Sequence, residues 1–374
     1  MDDPLVIIPR DAVDKVVIPS LVVTELDHHK DNKFKSAKAR AAIRQILKVW
    51  GDPRVSFCRD WATSGEADDQ IIEILRYWNA DVVVTNDLAL QIRTLEEGGE
   101  YENCSIELPG IIEGELESSE IDALFQKGQC NIQEGYPANE CLLFRSATNP
   151  SQSALALSNG DTTCRRVKPV KFWDVEPKGM KQSFLADMLL DPNIQLITAM
   201  GVAGSGKTYL ALAAALDQVI GKKRFKNLVI TRPIVEVGRG LGYPKGTMEE
   251  KLDPYYGAID AILKDLIGHD SPQISRRIQR LPLPYVRGFT QKNAIWIIDE
   301  AQDFNHNELK TLLTRVGDKT KVIITGDMSQ SDRDGASHGI VDVIRAYRGE
   351  SFYGHISLDR VHRGPICRVA TERM

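Results

Sequence analysis

No stretch of this 374-residue chain approaches the twenty or so consecutive apolar residues that a membrane-spanning helix needs. The opening MDDPLVIIPRD is acidic and lacks a long apolar core, so it does not have the form of a secretory signal. The six cysteines, Cys58, Cys104, Cys130, Cys141, Cys164 and Cys367, are scattered, without a C-x-x-C pair. That spacing excludes the common zinc and dithiol redox patterns. The expectation is reduced thiols in a cytoplasmic protein with no membrane partner. Of seven histidines only His28 and His29 are adjacent, which suits surface positions better than a metal cluster. No N-K-x-D sequence occurs, which argues against a guanine-reading switch. Internal repeats and low-complexity tracts are also missing.

The charge present is unevenly spread. Residues 1–170 carry 18 Lys and Arg against 28 Asp and Glu, whereas residues 171–374 carry 29 against 24. Such asymmetry, in a chain of this length, reads as separate domains. The basic bias of the second part fits a polyanion partner, and a solvated mixed surface fits it equally well.

Hydrophobic periodicity divides the chain further. Residues 36–50 repeat Ala39, Ala42, Ile43, Ile46, Leu47 and Trp50 at helical spacing, and residues 69–78 predict a second helix. The run from Asp81 to Thr85 has the form of a buried strand. A small α/β domain is expected over residues 1–115. Residues 116–170, rich in Ser, Asn, Gly and Pro, read as a connector. The apolar runs Glu140–Arg145 and Ser153–Leu157 favour a small β-rich one over a flexible linker. From 171 to 374 the α/β pattern returns. Its apolar runs Asn227–Thr231, Ala294–Ile298 and Lys321–Thr325 look like parallel strands buried on both faces.

The strongest local signal lies at Gly201–Thr208, GVAGSGKT, which matches G-x-x-x-x-G-K-[ST]. A short apolar run precedes it and a helix-forming run follows. That context aims the backbone N–H groups of Gly201, Ala203, Gly204, Ser205 and Gly206, and a helix N-terminus, at phosphate oxygens. Lys207 is expected to reach the β- and γ-phosphates, and the Thr208 hydroxyl to ligate Mg²⁺. The run Ile295–Ile298 ends in Asp299-Glu300, where open α/β sheets bind ligands. Asp299 is expected to hold Mg²⁺ and Glu300 to orient or deprotonate water. The plainer reading is a capping pair for a following helix, Glu308 to Val316. Adjacent acids of this kind argue against a small-molecule kinase. Strand ends at Thr231-Arg232 and Thr325–Gln330 place Arg232, Asp327 and Gln330 beside the same crevice, Asp327 or Gln330 as γ-phosphate sensors. Residues 232–256 carry Arg239, Tyr243, Lys245, Tyr255 and Tyr256. Basic and aromatic residues on a loop suit single-stranded nucleic acid, and composition alone leaves a purely structural loop equally open.

GVAGSGKTYLA, TRPIVEVGRGLGYPKGTMEEKLDP, YVRG, IIDEAQ, ELKTLLTRVGDKTKVIITGDMSQ and VHRG occur in this order. Together they resemble the PhoH family of P-loop ATPases over residues 171–374. The resemblance implies a RecA-like core with a parallel sheet, related to helicases and using ATP and Mg²⁺. It also implies an RNA partner, single-stranded by this reading, and a ring-shaped homo-hexamer. In such rings a neighbouring subunit supplies an arginine, for which Arg363 in VHRG is the first candidate and Arg315 in LLTRVG the second.

Residues 1–115 resemble a PIN domain, a metal-dependent ribonuclease fold. That resemblance carries Glu25, Asp68 (or Asp69) and Asp87 over as an Mg²⁺ or Mn²⁺ site. Read bottom-up, they are acids near element ends. The D-T-N-bearing first strand of PIN domains has no counterpart after Met1, so the domain is expected to be incomplete and its ribonuclease activity weak or absent. The expected function is an RNA-dependent, helicase-related ATPase. The alternative is an ATP-gated oligomeric RNA-binding scaffold that neither unwinds nor cleaves.

Overall fold

The computed structural model describes four short strands within the first 102 residues, and then residues 109–149, 151–234, 248–268, 271–286, 288–327, 338–362 and 364. The chain divides into two compact units, Met1–Ile106 and Glu107–Met374. In the first, β1 (Val16–Pro19) pairs in parallel with β2 (Val55–Cys58), and β3 (Val82–Val84) pairs in parallel with β4 (Glu100–Glu102). Ile18 on β1 is buried. The segments 36–50 and 69–78, expected as helices, lie outside the described residues.

The second unit opens with β5 (Ile111–Leu116), α1 (Ser118–Lys127), β6 (Gln129–Asn131), β7 (Cys141–Ser146), β8 (Ser153–Ser158) and β9 (Thr163–Arg166). The strands form one sheet in the order β5-β7-β8-β9-β6. β5 straddles the 115/116 boundary read from sequence, yet it pairs with β7 along its whole length. Helix α1 stops at Gly128, whose φ of +79° lets its amide close back on Leu124. Ile121 and Leu124 then seal against Leu142, Phe144, Ala154 and Ala156.

The larger layer follows as α2 (Met180–Leu190), β10 (Leu196–Gly201), α3 (Lys207–Leu216), β11 (Asn227–Thr231), α4 (Met248–Ile267), α5 (Pro272–Ser275), β12 (Ile278–Arg280), α6 (Leu283–Val286), β13 (Ala294–Ile298), α7 (His306–Leu313), β14 (Lys321–Gly326), α8 (His338–Tyr347) and β15 (Tyr353–Leu358). Its six strands are all parallel, in the order β12-β11-β13-β14-β10-β15. β13 and β14 are buried along their full length, as strands covered on both faces must be. Helix α7 begins two residues before the Glu308 expected from sequence. Asn305 caps it by accepting from the Glu308 amide, and the Glu308 carboxylate accepts from the Asn305 amide, a reciprocal capping box. The two layers are tied by Asn139, which donates to the carbonyls of Ser351 and Tyr353, and by the Arg348–Glu140 ion pair at 2.6 Å. Among the described residues no helix is long and apolar enough to cross a membrane.

Candidate nucleotide-binding site

The glycine loop leaves the C-terminal end of β10 and runs straight into α3. Three glycines make this turn possible, with φ of +145° at Gly201, +79° at Gly204 and +88° at Gly206. A Cβ on Gly201 would stand 2.0 Å from the Leu358 carbonyl oxygen. β15 therefore braces the loop closely: the Val202 amide donates to that carbonyl at 3.1 Å, and the His362 amide donates to the Gly204 carbonyl at 3.0 Å. On another side stands Gln182, which is buried. Its amide nitrogen donates to the Ser205 carbonyl and its oxygen accepts from the Lys178 amide, both at 2.7 Å. Within the loop the Ser205 amide donates to the Val202 carbonyl at 3.2 Å, and the helix that follows leaves the amides of its first turn to serve an anion. Lys207 is buried, and its ammonium donates to the Val202 carbonyl at 3.3 Å.

The acids arrive from β13, one strand removed, because β14 lies between it and β10. The Thr208 hydroxyl donates to Asp299 Oδ1 at 2.9 Å, and the Thr325 hydroxyl, from β14, donates to the same oxygen at 2.5 Å. Asp299 Oδ2 pairs with Arg232 Nε at 3.2 Å. Glu300, in left-handed backbone conformation at φ +54°, accepts from Arg232 Nη2 at 2.9 Å on Oε1 and from Gln302 Nε2 at 2.9 Å on Oε2. Gln302 in turn accepts from the Asp327 amide at 2.9 Å. Burial pushes the Asp299 carboxyl above the ordinary range. Arg232 opposes that shift, Glu300 adds to it, and the two hydroxyls oppose it.

These groups enclose a cavity of about 410 Å³. Its polar side is formed by Ala203, Gly204, Gly206, Lys207, Thr208, Arg232, Asp299 and Glu300, and its apolar side by Ala258, Ile259 and Ile262 of α4. Val175, Lys178 and His362 are also among its lining residues. Burial lowers the His362 pKa, with the charges of Arg360 and Lys178 adding to the effect. The donor chemistry fits Mg²⁺: a hydroxyl and a carboxylate, both hard oxygen donors, meet at the end of a phosphate loop. Among the described residues no cluster of three or more His, Cys, Asp or Glu could hold a metal by itself. An ion at this site would draw its other ligands from phosphate and water.

Of the residues singled out from sequence, the fold brings together Gly201, Ala203 to Thr208, Arg232, Asp299 and Glu300. Asp327 is buried at the end of β14, and its backbone amide is held by Gln302. The Arg315 carbonyl accepts from the Gln291 amide just ahead of β13, which puts Arg315 at the opposite end of the parallel strands from its own glycine loop. Glu25, Asp68, Asp69, Asp87, Gln330 and Arg363 lie outside the described residues, as do Arg239, Tyr243 and Lys245. One reading is corrected. Tyr256, offered as a base-stacking residue, has no exposed surface, and its hydroxyl donates to the Ile230 carbonyl at 3.3 Å. Tyr255 and Tyr256 both lie on α4 rather than on a loop, and the Tyr256 ring packs in the core. Sequence reading gave no role to Gln182, His362, Gln302 or the α4 wall. Gln302 follows the acid pair, and His362 stands within VHRG, closely enough to have been suspected, whereas no local pattern marks Gln182 or the α4 wall.

A family model described as PhoH-like protein matches residues 174–374. The chain is similar to Protein PhoH2 of Thermobispora bispora, 28% identical over 98% of this chain and 92% of that protein. It is also similar to Protein PhoH2 of Bacillus subtilis, 34% identical over 67% of this chain and 61% of that one. Among solved structures, the DUF1998 helicase MrfA bound to DNA and AMPPNP aligns at 14% identity with a TM-score of 0.25, covering 45% of this chain and 25% of that one.

Proposed function

This chain belongs to the PhoH family, and from that premise we propose that its P-loop NTPase core hydrolyses ATP and acts on RNA. The observation that carries the hydrolytic part is the Thr208–Asp299 hydrogen bond at 2.9 Å, with Glu300 next in sequence and facing the same cavity. It joins the phosphate loop to the acid strand in one site. Bound Mg²⁺ would supply charge neutralisation at the β- and γ-phosphates. The chain's own residues do the rest. Loop amides and Lys207 cradle the phosphates, while Thr208 and Asp299 hold the metal. Glu300 accepts the proton of an attacking water or orients it.

The RNA part rests on the motif order from GVAGSGKT to VHRG and on the basic balance of residues 171–374. A homo-hexameric ring, with Arg363 or Arg315 reaching a neighbour's site, belongs to the same proposal. An arginine supplied in this way is worth roughly 10³–10⁵ in turnover. Arg363→Ala is therefore expected to abolish turnover and spare ATP binding, and near-normal turnover would contradict that role. The PIN-like reading of residues 1–115, with Glu25, Asp68 and Asp87 as metal ligands, is a separate proposal. Mn²⁺-dependent RNA cleavage, measured in the wild type and in Asp87→Asn, tests that site. The test of the whole is ATP turnover with and without single-stranded RNA, in the wild type and in Lys207→Ala. Nucleotide-driven assembly on RNA without turnover would favour a scaffold instead.

A further inference from the structure

Arg232 follows β11 directly, and its side chain is only 15% exposed. All three guanidinium nitrogens are engaged. Nε pairs with Asp299 Oδ2 at 3.2 Å, Nη2 with Glu300 Oε1 at 2.9 Å, and Nη1 donates to the Tyr255 carbonyl at 2.6 Å. One cation thus ties both acids of β13 to helix α4, which carries Ala258, Ile259 and Ile262 on the apolar side of the same cavity.

Two physical facts make this arrangement more than a structural clamp. Asp299 Oδ1 already accepts from two hydroxyls, Thr208 and Thr325, so Oδ2 is the oxygen with capacity to spare, and Arg232 sits on it. A guanidinium and a divalent cation also repel each other strongly at a few ångströms in a site of low dielectric. They cannot both keep short contacts with one buried carboxylate at no cost.

We propose that Arg232 is a positioning residue that competes with Mg²⁺ for Asp299 and, on yielding it, releases its hold on α4 at Tyr255. The inference rests on the reading of the cavity as a nucleotide and metal site. Arg232 thereby sets how much Mg²⁺ the site requires, and passes the arrival of the metal-bound nucleotide to the wall of the cavity. The sequence places Arg232 beside the crevice among the nucleotide-binding candidates, where the other role open to it is direct contact with the nucleotide. That role has the opposite consequence, because its removal would weaken nucleotide binding at every Mg²⁺ concentration.

The test is a titration of the full chain with a fluorescent, non-hydrolysable ATP analogue across a series of Mg²⁺ concentrations, paired with amide hydrogen exchange over residues 255–262. In R232Q the half-saturating Mg²⁺ concentration is expected to fall about tenfold, and in R232K, which keeps the charge without the fork, by less. The analogue with Mg²⁺ is expected to speed exchange in 255–262 of the wild type and to leave R232Q unchanged. An unaltered or raised Mg²⁺ requirement in both variants, with normal binding by the wild type, overturns the inference alone. Failure of the wild type to bind at any Mg²⁺ concentration overturns the nucleotide reading and the inference together. If R232Q does not fold, R232K decides, and a wild-type Mg²⁺ requirement there overturns the inference.

Discussion

The Thr208 hydroxyl reaches across from the start of α3 to the Asp299 carboxylate at the end of β13, at 2.9 Å. Two segments ninety-one positions apart in sequence thereby meet over the end of β14, which contributes Thr325 to the same carboxylate oxygen. Thr208→Val keeps the shape of the side chain and removes this donor. Affinity for an Mg²⁺-bound ATP analogue is expected to fall roughly tenfold to a hundredfold, measured by equilibrium titration, with little change when Mg²⁺ is chelated.

Glu300 has both carboxylate oxygens satisfied, one by Arg232 and one by Gln302. Glu300→Gln keeps the size of the side chain and removes the base. Turnover is expected to drop by about 10² or more, while binding of the analogue changes little. Equal losses in binding and turnover would assign Glu300 to holding the nucleotide instead.

The loop glycines differ in what surrounds them. A methyl on Gly201 meets the backbone carbonyl of Leu358 at 2.0 Å, and that backbone is paired to β10 at Gly201 itself, so it yields less readily than the end of a side chain. On Gly206 it meets the Gln182 amide nitrogen at 2.7 Å, the end of a side chain. Both positions also carry positive φ, which costs about 1 kcal/mol or more for alanine. Gly201→Ala is expected to lower the melting temperature far more than Gly206→Ala, which chiefly weakens nucleotide binding. Thermal melting of the two variants side by side checks the order.

His355 is buried in β15, hydrogen-bonded with Thr198 at 2.7 Å and Ser357 at 3.1 Å. Burial, and secondarily the charge of Arg348, pulls its pKa down to about 3. Below pH 6.5 the unfolded chain therefore takes up a proton that the folded chain refuses. Stability from this group is complete above pH 6.5 and drains away as pH falls toward 3. The slope is about 1.4 kcal/mol per pH unit at most. Denaturant melts between pH 7 and 4.5 should show the wild type losing stability relative to His355→Gln. Parallel curves would remove His355 as the cause.

What could be read from the residues alone was whatever has a local signature. Gly201, Gly204 and Gly206 announce backbone that other residues resist, and Asp299-Glu300 ends an apolar run long enough to be a strand. The contacts that finish the site carry no such mark. Gln182 meets Ser205, and His362 meets Gly204, only because α2 and the tail of β15 pack against the loop. Tyr256 failed in the other direction. Near glycines and lysines it looks like a stacking residue, but its place on α4 turns it toward β11. Arg232 could be placed at the crevice from its position after a strand. Its three-way attachment depends on where α4 crosses, and nothing between residues 232 and 255 discloses that.

On the proposed function, the cavity around Lys207 turns over ATP in response to RNA. Steady-state phosphate release by the wild type and Lys207→Ala, each with and without single-stranded RNA, tests it most directly. The expected result is turnover that rises with RNA in the wild type and is absent under both conditions in the variant. Equal turnover in the two proteins would contradict the account.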